Sequence, residues 1–147
     1  ALKPEFREYI NSVLANAKIL AETLKNNGFK IYSGGTDTHL MLVDLRPFGV
    51  KGNIASDSLS RANITCNKNG IPFDTESPMI TSGIRLGSQA ATTRGFGLKE
   101  FEKIGELITK TINGLSKNPE DNSKIEEEVR KEVVELCSKF PIYKHLR

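Results

Sequence analysis

The stretch Phe29-Lys30-Ile31-Tyr32-Ser33-Gly34-Gly35-Thr36-Asp37-Thr38-His39-Leu40-Met41-Leu42-Val43-Asp44-Leu45 decides the predicted fold. Phe29 to Tyr32 has the composition of a short strand, and His39 to Leu45 forms a second strand rich in Leu, Met and Val. The segment Ser33 to Asp37 between them is a cluster of turn residues. Two strands joined by a short polar loop predict an antiparallel pair.

An amphipathic helix precedes this pair and is predicted over residues 4–27. Pro4 suits the first helical position, and Asn26-Asn27-Gly28 ends the helix, with Gly28 well placed for the left-handed position after the C-cap. The apolar stripe of this helix consists of Phe6, Ile10, Val13, Leu14, Ala17, Leu20, Ala21 and Leu24. A face of this width is typical of a helix that covers a sheet.

Helical and strand patterns alternate in the rest of the chain. The predicted elements are a helix from Asn53 to Ala62, a strand from Ile64 to Cys66, a loop from Asn67 to Pro78, a strand from Gly83 to Gly87, a helical turn from Ala90 to Arg94, a helix near 98–116, a linker from Ser116 to Asn122 and a last helix from Ser123 that ends at Pro141. The second helix is expected to turn Ile54, Leu59 and Ala62 inward. Ser123 and Glu126 have the spacing of a capping box, and the core stripe of the last helix is Ile125, Val129, Val133, Leu136 and Phe140.

This order predicts an α/β (α+β) two-layer domain over residues 1–147, with a small, mostly antiparallel sheet covered by helices. The 147 residues suit one domain. Because the chain opens on Ala1 rather than Met, we interpret its start as a cut inside a longer polypeptide.

Composition excludes several classes of function. The net charge of +3 is spread along the chain without a Lys/Arg block, which does not favour a nucleic-acid partner. No apolar run approaches the roughly 20 residues of a membrane span. Cys66 and Cys137 are far apart, and with the distant His39 and His145 they give no metal-site spacing. A reduced, cytoplasmic setting follows, with no metal, no nucleic acid and no membrane partner.

Arg85 is the strongest candidate for a binding residue. In Ser82-Gly83-Ile84-Arg85-Leu86-Gly87, strand alternation places Ile84 and Leu86 on one face and Arg85 on the other. A guanidinium on a glycine-flanked strand is suited to grip a carboxylate with two hydrogen bonds, and the glycines are expected to leave room for a ligand. The alternative interpretation is an ion pair with a nearby Asp or Glu.

Three further segments carry polar groups. The loop Asn67 to Asp74 could hydrogen-bond a heterocycle, although spacing alone favours a solvated connection. Ser77-Pro78 predicts an extended turn near the Arg85 strand. Thr92-Thr93-Arg94-Gly95 fits a helix end better than an anion site, and His39 is typical of a structural histidine.

These segments resemble the serine hydroxymethyltransferase family. The resemblance lies in Ser33 to Leu40 with Leu42 to Leu45, in Ile64 to Asn69 with Ile71 to Asp74, in Ser77 to Gly87, and in Thr92 to Phe96. The blocks have the family's order and spacing, and those around Asn69 and Arg85 are the most specific. The resemblance covers nearly the whole chain and identifies it with the C-terminal small domain of a fold-type I transferase that depends on pyridoxal 5'-phosphate.

The resemblance implies a function for the full-length protein. Members interconvert serine and glycine in one-carbon metabolism and amino-acid biosynthesis, with tetrahydrofolate as co-substrate. Arg85 matches the arginine that grips the substrate carboxylate, Asn69 matches a pterin contact, and Ser77, Pro78 and Met79 match a segment lining the folate site. The family's cofactor lysine follows a Thr-rich motif that is absent here, so this chain is expected to contain no catalytic residue and to be inactive alone. The missing large domain and a second subunit of a homodimer would complete the active site.

Two other interpretations stay open on the sequence. The chain could be the small domain of another enzyme of this fold type, such as an aminotransferase, which also uses an arginine of its C-terminal domain for a carboxylate. It could also be a free-standing, non-catalytic module that binds carboxylates. The Asn67 to Asp74 loop argues against the first, because an aminotransferase needs no pterin contact. The interrupted start at Ala1 argues against the second.

Overall fold

Four short strands form one antiparallel sheet in the computed structural model, which describes residues 3–142. The strand order is β1-β2-β4-β3, and every neighbouring pair is antiparallel. The strands are β1 (Lys30–Ile31), β2 (Leu40–Asp44), β3 (Asn67–Asn69) and β4 (Gly83–Gly87). The pairing of β1 with β2 confirms the hairpin predicted from Phe29 to Leu45, and β4 has the bounds that the sequence predicted.

Within residues 3–142, five α-helices accompany the sheet. They are α1 (Pro4–Asn26), α2 (Gly52–Arg61), α3 (Gln89–Arg94), α4 (Leu98–Lys117) and α5 (Ser123–Ser138), and short 3-10 turns span Tyr32–Gly34 and Arg46–Phe48. The predicted helices are confirmed to within a few residues at their ends. No helix in the described part of the chain is long and apolar enough to cross a membrane.

The core lies between one face of the sheet and the helices. Met41 and Val43 of β2 and Ile84 and Leu86 of β4 are buried on this face. They belong to one cluster with buried residues of the helices, namely Ala17, Leu20, Ala21, Leu24, Ala55, Leu59, Phe101, Ile108, Ile112 and Leu115. The predicted architecture, a small antiparallel sheet covered by helices, is therefore confirmed.

The end of α1 shows how local sequence sets the entry into the sheet. Gly28 has φ +90°, and its amide donates to the Lys25 carbonyl while the Phe29 amide donates to the Leu24 carbonyl. This is the paired closure of a Schellman motif, which a left-handed residue after the C-cap permits. The chain therefore leaves α1 directly into β1, as the position of Gly28 predicted.

The predicted strand from Ile64 to Cys66 is wrong. The Ile64 amide donates to the Leu59 carbonyl at 2.8 Å, and the preceding Asn63 has φ +63°. Ile64 thus closes the C-terminus of α2 by the same motif and is not free to enter a sheet. The third strand in sequence begins at Asn67, inside the predicted loop, where Asn67 to Asn69 pair with β4.

Two details of the helices also differ from prediction. Asn122, not Ser123, is the N-cap of α5, and the Glu126 carboxylate bonds Arg61 and Ser58 instead of closing a capping box. Of the predicted inner face of α2, Leu59 and Ala62 are buried together with Ala55 and Ser58, whereas Ile54 is 42% exposed. Of the stripe predicted for α5, Val129 is buried and the other four residues are partly buried. His145 lies outside the described residues.

Candidate functional site

The candidate site lies on the sheet face that points away from the core. In β4 the side chains of Ile84 and Leu86 are buried and that of Arg85 is exposed, as strand alternation predicted. Across the sheet Arg85 pairs with Leu42 of β2 on one side and with Asn67 of β3 on the other. The backbone of Arg85 is therefore fixed by partner strands on both sides, while its guanidinium faces outward.

Arg85 differs from three other arginines of the chain in having no partner among the residues that the structure describes. Arg46 grips Asp44 with its Nε and Nη2 atoms, Arg61 grips Glu126 in the same way, and Arg94 donates to the carbonyls of Cys137 and Phe140. Among residues 3–142, no carboxylate and no hydrogen-bond acceptor engages the Arg85 side chain. The described structure therefore gives no support to the ion-pair interpretation of Arg85.

A loop spanning residues 70–82, called here the 70–82 loop, folds over the same face beside Arg85. Its buried Ile71 occupies the space next to Gly83, because a Cβ on Gly83 would lie 2.6 Å from Ile71 Cγ2. A Cβ on Gly87 would likewise lie 2.9 Å from Gln89 Oε1 and 3.0 Å from Leu40 Cδ2. Protein atoms thus occupy the space beside both flanking glycines, whereas the sequence predicted that this space would be open to a ligand.

Asn69 lies on the same face as Arg85. In the pairing of β3 with β4, Asn69 lies opposite Gly83 and Asn67 lies opposite Arg85. Asn69 and Arg85 are therefore diagonal cross-strand neighbours. Diagonal neighbours in a sheet are roughly 7–8 Å apart. The Asn69 amide donates to the carbonyl of Gly70 at 2.8 Å, and the side chain is half-buried. The sheet therefore brings two predicted binding residues within the reach of one small ligand.

Ser77, Pro78 and Met79 form an exposed turn in the 70–82 loop. The Ser77 carbonyl accepts from the amides of Ile80 (3.0 Å) and Thr81 (2.9 Å). Met79 is 73% exposed although it is a large apolar side chain. The turn runs within a few residues into β4, so it lies close to the strand that carries Arg85, as the sequence predicted.

Asp74 organises this loop, and no role for it was predicted. Its carboxylate accepts hydrogen bonds from the amides of Ile71, Glu76 and Ser82 and from the Ser82 hydroxyl. The Ser82 hydroxyl and these amides hold the pKa of the Asp74 carboxyl well below its ordinary value. An aspartate that bonds the backbone two residues on is a recognised turn signal, but the contact with Ser82 could not be seen in the sequence.

The segment around Arg94 is structural. Arg94 bonds the carbonyls at the end of α5, Thr92 donates to the Ser88 carbonyl, and Gly95 ends α3 with φ +107°. This arrangement matches the helix-end interpretation. His39 is half-buried, and its carbonyl accepts from the Ser88 amide at 3.0 Å.

A cleft of about 800 Å³ lies between α1 and the Tyr32–Thr38 segment. Its wall carries charges of both signs, from Lys18, Glu22, Lys25 and Asp37. Leu42, which lies opposite Arg85 in the sheet, also lines the cleft. Lys25 already donates to the Gly34 carbonyl. The cleft does not include Arg85 or Asn69 in its lining.

No lysine in the described part of the chain is buried. The two that are half-buried, Lys103 and Lys110, form ion pairs with glutamates of α5. A lysine that forms a Schiff base is normally activated in a desolvated or cationic pocket. The residues described here therefore do not fit the lysine of a pyridoxal phosphate site.

Comparisons with known proteins agree on one family. The family model described as serine hydroxymethyltransferase matches residues 1–108. A serine hydroxymethyltransferase of Pelagibacter ubique (strain HTCC1062) is 82% identical over 147 residues, which are 100% of this chain and 34% of that protein. One from Marinomonas sp. (strain MWYL1) is 62% identical and covers 98% of this chain and 34% of its own length. The chain thus spans about one third of the length of the curated relatives it matches.

Proposed function

This chain belongs to the serine hydroxymethyltransferase family, and we propose that it forms the C-terminal small domain of such an enzyme. The proposed reaction of the full-length protein reversibly converts serine and tetrahydrofolate to glycine and 5,10-methylenetetrahydrofolate. In this reaction the small domain binds and orients substrates, while the remaining two thirds of the protein complete the active site.

The observation that carries the proposal is the free guanidinium of Arg85. Its backbone is held by β2 and β3, and its side chain has no protein partner among the described residues. An arginine fixed in this way can donate two parallel hydrogen bonds to the α-carboxylate of serine or glycine. A bidentate contact restrains the orientation of the amino acid, which is the positioning that the reaction needs.

The neighbouring loop supports a folate site on the same face. Asn69 offers amide groups to a pterin ring, and Ser77, Pro78 and Met79 present an exposed turn with an apolar side chain. Phe73 on the same loop is also exposed, and exposed apolar surface rimmed by polar residues is a feature of ligand-binding grooves. We therefore assign tetrahydrofolate to the side of Arg85 on which the 70–82 loop lies.

The pyridoxal phosphate of the proposed enzyme would be held outside this chain. Because the described lysines are exposed or ion-paired, the cofactor lysine is assigned to the missing large domain, and the isolated chain is expected to be inactive. A cytoplasmic location and a homodimer with an active site at the subunit interface belong to the same proposal. Membership of the family removes the main support for the aminotransferase alternative.

The experiment uses a chimera in which this chain replaces the region it matches in the Pelagibacter ubique relative. Serine cleavage with tetrahydrofolate and glycine binding by calorimetry are measured for the chimera and for Arg85→Ala. The lost bidentate contact is expected to weaken glycine binding by about 100-fold, since hydrogen bonds to a charged group contribute up to about 3 kcal/mol. Arg130→Ala is the matched control, because Arg130 is exposed and its ion pair within residues 3–142 is with Glu127 on α5.

Two results would count against the proposal. A chimera that folds but does not cleave serine would reject the assigned reaction. A chimera that is active, but in which Arg85→Ala binds glycine as well as Arg130→Ala does, would reject Arg85 as the carboxylate ligand.

A further inference from the structure

The Asp74 carboxylate connects the two ends of the 70–82 loop. Its Oδ2 atom accepts from the Ile71 amide at 3.1 Å and from the Ser82 amide at 2.9 Å. Its Oδ1 atom accepts from the Glu76 amide at 3.0 Å and from the Ser82 hydroxyl at 2.6 Å. One side chain therefore fixes the start, the middle and the end of the loop.

These bonds link the chain segment next to Asn69 to the chain segment next to Arg85. Ile71 follows Asn69 by two residues, and Ser82 precedes Arg85 by three residues. Ser82 is buried, and its hydroxyl hydrogen-bonds the Asp74 carboxylate. The position of the turn at Ser77 to Met79 relative to the Arg85 strand thus depends on contacts made by Asp74.

Other contacts hold the middle and the end of the loop against the start of α2. The amides of Gly52 and Asn53 donate to the carbonyls of Thr81 and Ile80 at 2.9 Å, and Lys51 pairs with Glu76. Within the loop, Phe73 has φ +57° and is 98% exposed. A bulky residue adopts this conformation only where surrounding bonds impose it. The Asp74 carboxylate supplies such bonds, because it accepts from the amides of Ile71 and Glu76, which lie on either side of Phe73 in the sequence.

Arg85 does not depend on the loop in the same way. Its backbone is paired with β2 and β3 on both sides. A change in the 70–82 loop should therefore displace Met79 and its neighbours more than it displaces the guanidinium.

We propose that Asp74 is a positioning residue for the folate side of the site, one that holds the Ser77-Met79 turn against the Arg85 strand without contacting the substrate itself. The proposal rests on the function proposed above. It requires that loss of the Asp74 bonds weakens tetrahydrofolate binding selectively, while glycine binding stays close to that of the unchanged protein.

The test compares Asp74→Asn with three other variants of the chimera, using calorimetric dissociation constants for tetrahydrofolate and for glycine. Asp121→Asn is the chemical control, because Asp121 also bonds the backbone of a nearby serine, Ser123, but in the α4–α5 linker. Val129→Ala is the stability control, because Val129 is fully buried in α5, away from the site. Ser82→Ala, which removes one of the four bonds, provides a milder variant should Asp74→Asn not fold.

Asp74→Asn is expected to raise the tetrahydrofolate dissociation constant roughly 10- to 100-fold and the glycine constant by less than about threefold. Ser82→Ala should cause a smaller change in the same direction, and both controls should leave the two constants unchanged. The inference is overturned if Asp74→Asn and Ser82→Ala bind tetrahydrofolate normally, if both ligands weaken equally, or if Val129→Ala has the same effect at a matched melting temperature. If the unchanged chimera binds tetrahydrofolate and cleaves serine, and the Asp74→Asn variant binds tetrahydrofolate equally well, this inference alone is rejected. A chimera that folds but is inactive rejects the proposed function as well.

Discussion

Gly83 is a residue at which the sheet packs closely against the 70–82 loop. A Cβ there would lie 2.6 Å from Ile71 Cγ2, 2.7 Å from the Val43 carbonyl and 3.0 Å from the Asn69 carbonyl. Two of these three atoms belong to backbone, which cannot rotate away as a long side chain can. The absence of a side chain at Gly83 is therefore a packing requirement of the fold.

We predict that Gly83→Ala destabilises the chain by about 2–3 kcal/mol, because overpacking of a well-packed site has costs of this order. Gly35→Ala is the control, since a Cβ on Gly35 meets nothing within 4 Å and its backbone is extended. Urea denaturation of the 147-residue chain measures both free energies of unfolding. Equal free energies of unfolding for the two variants would show that the neighbouring atoms shift to accommodate a methyl group at little cost.

The sequence predicted the outward direction of Arg85 because strand alternation is a local property. It did not predict what surrounds Arg85. The contact of Ile71 with Gly83 and the bonds from Asp74 to Ser82 join residues that are eight to twelve positions apart. Nothing in the spacing of these residues distinguishes such a folded loop from a solvated one, which is why the role of Asp74 was missed.

At the scale of elements, a polar cluster attaches α5 to α2. Glu126 is 6% exposed and accepts from Arg61 through two nitrogen atoms at 2.7 Å and from the Ser58 hydroxyl at 2.6 Å. Asn122, the N-cap of α5, donates to Ser58 Oγ and to the Thr111 carbonyl. These bonds fix the start of α5 against both α2 and α4.

Replacing Glu126 by Gln should destabilise the chain by about 1–2 kcal/mol at pH 7, a value reduced from that of a fully buried pair because Arg61 is largely exposed. Glu127→Gln is the control, and its loss should stay below about 0.5 kcal/mol because the Glu127–Arg130 pair is a surface pair. Urea denaturation of both variants beside the unchanged chain gives the two differences. A loss in Glu127→Gln as large as that in Glu126→Gln would contradict a special role for the buried cluster.

The stability difference should also depend on pH. The bonds from Arg61 lower the pKa of Glu126 from its ordinary value of 4.5, and the Ser58 hydroxyl acts in the same direction, while burial of the carboxyl and, to a smaller extent, the charge of Asp121 oppose this shift. A carboxylate with a lowered pKa stabilises the folded state above pH 4.5 and loses this contribution as the pH falls through its folded-state pKa. The difference between the unchanged chain and Glu126→Gln should therefore shrink as the pH falls below 4.5, and a constant difference would show that the charge is not responsible.

The elements that the sequence predicted well are those with a long periodic pattern. Helices α1 and α4 and the β1–β2 hairpin carry their signals within themselves, so they are recovered nearly to the residue. Strand β3 has the sequence Asn-Lys-Asn, which has low strand propensity, and it exists because β4 offers it an edge. The capping box at Ser123 and Glu126 was wrong for a related reason, since Arg61 and Ser58 of α2 bind the same carboxylate.

At the scale of the whole molecule, the surface beside Arg85 affects whether the isolated chain associates with itself. Phe73 is 98% exposed and Met79 73% exposed, and both belong to the 70–82 loop beside Arg85. In a protein about three times this length, the remaining two thirds could cover such a surface. Without them, exposed apolar side chains favour association between copies.

We predict that the isolated chain self-associates at high concentration and that Phe73→Ser shifts the equilibrium toward the monomer. The substitution should leave the free energy of unfolding nearly unchanged, because an almost fully exposed phenyl group contributes little to the core. Val134→Ser is the control, since Val134 is 55% exposed but lies on α5, away from the 70–82 loop. Sedimentation equilibrium from micromolar to submillimolar concentrations measures the three association constants. An isolated chain that stays monomeric, or one whose association falls equally in both variants, would show that the Phe73 surface does not drive self-association.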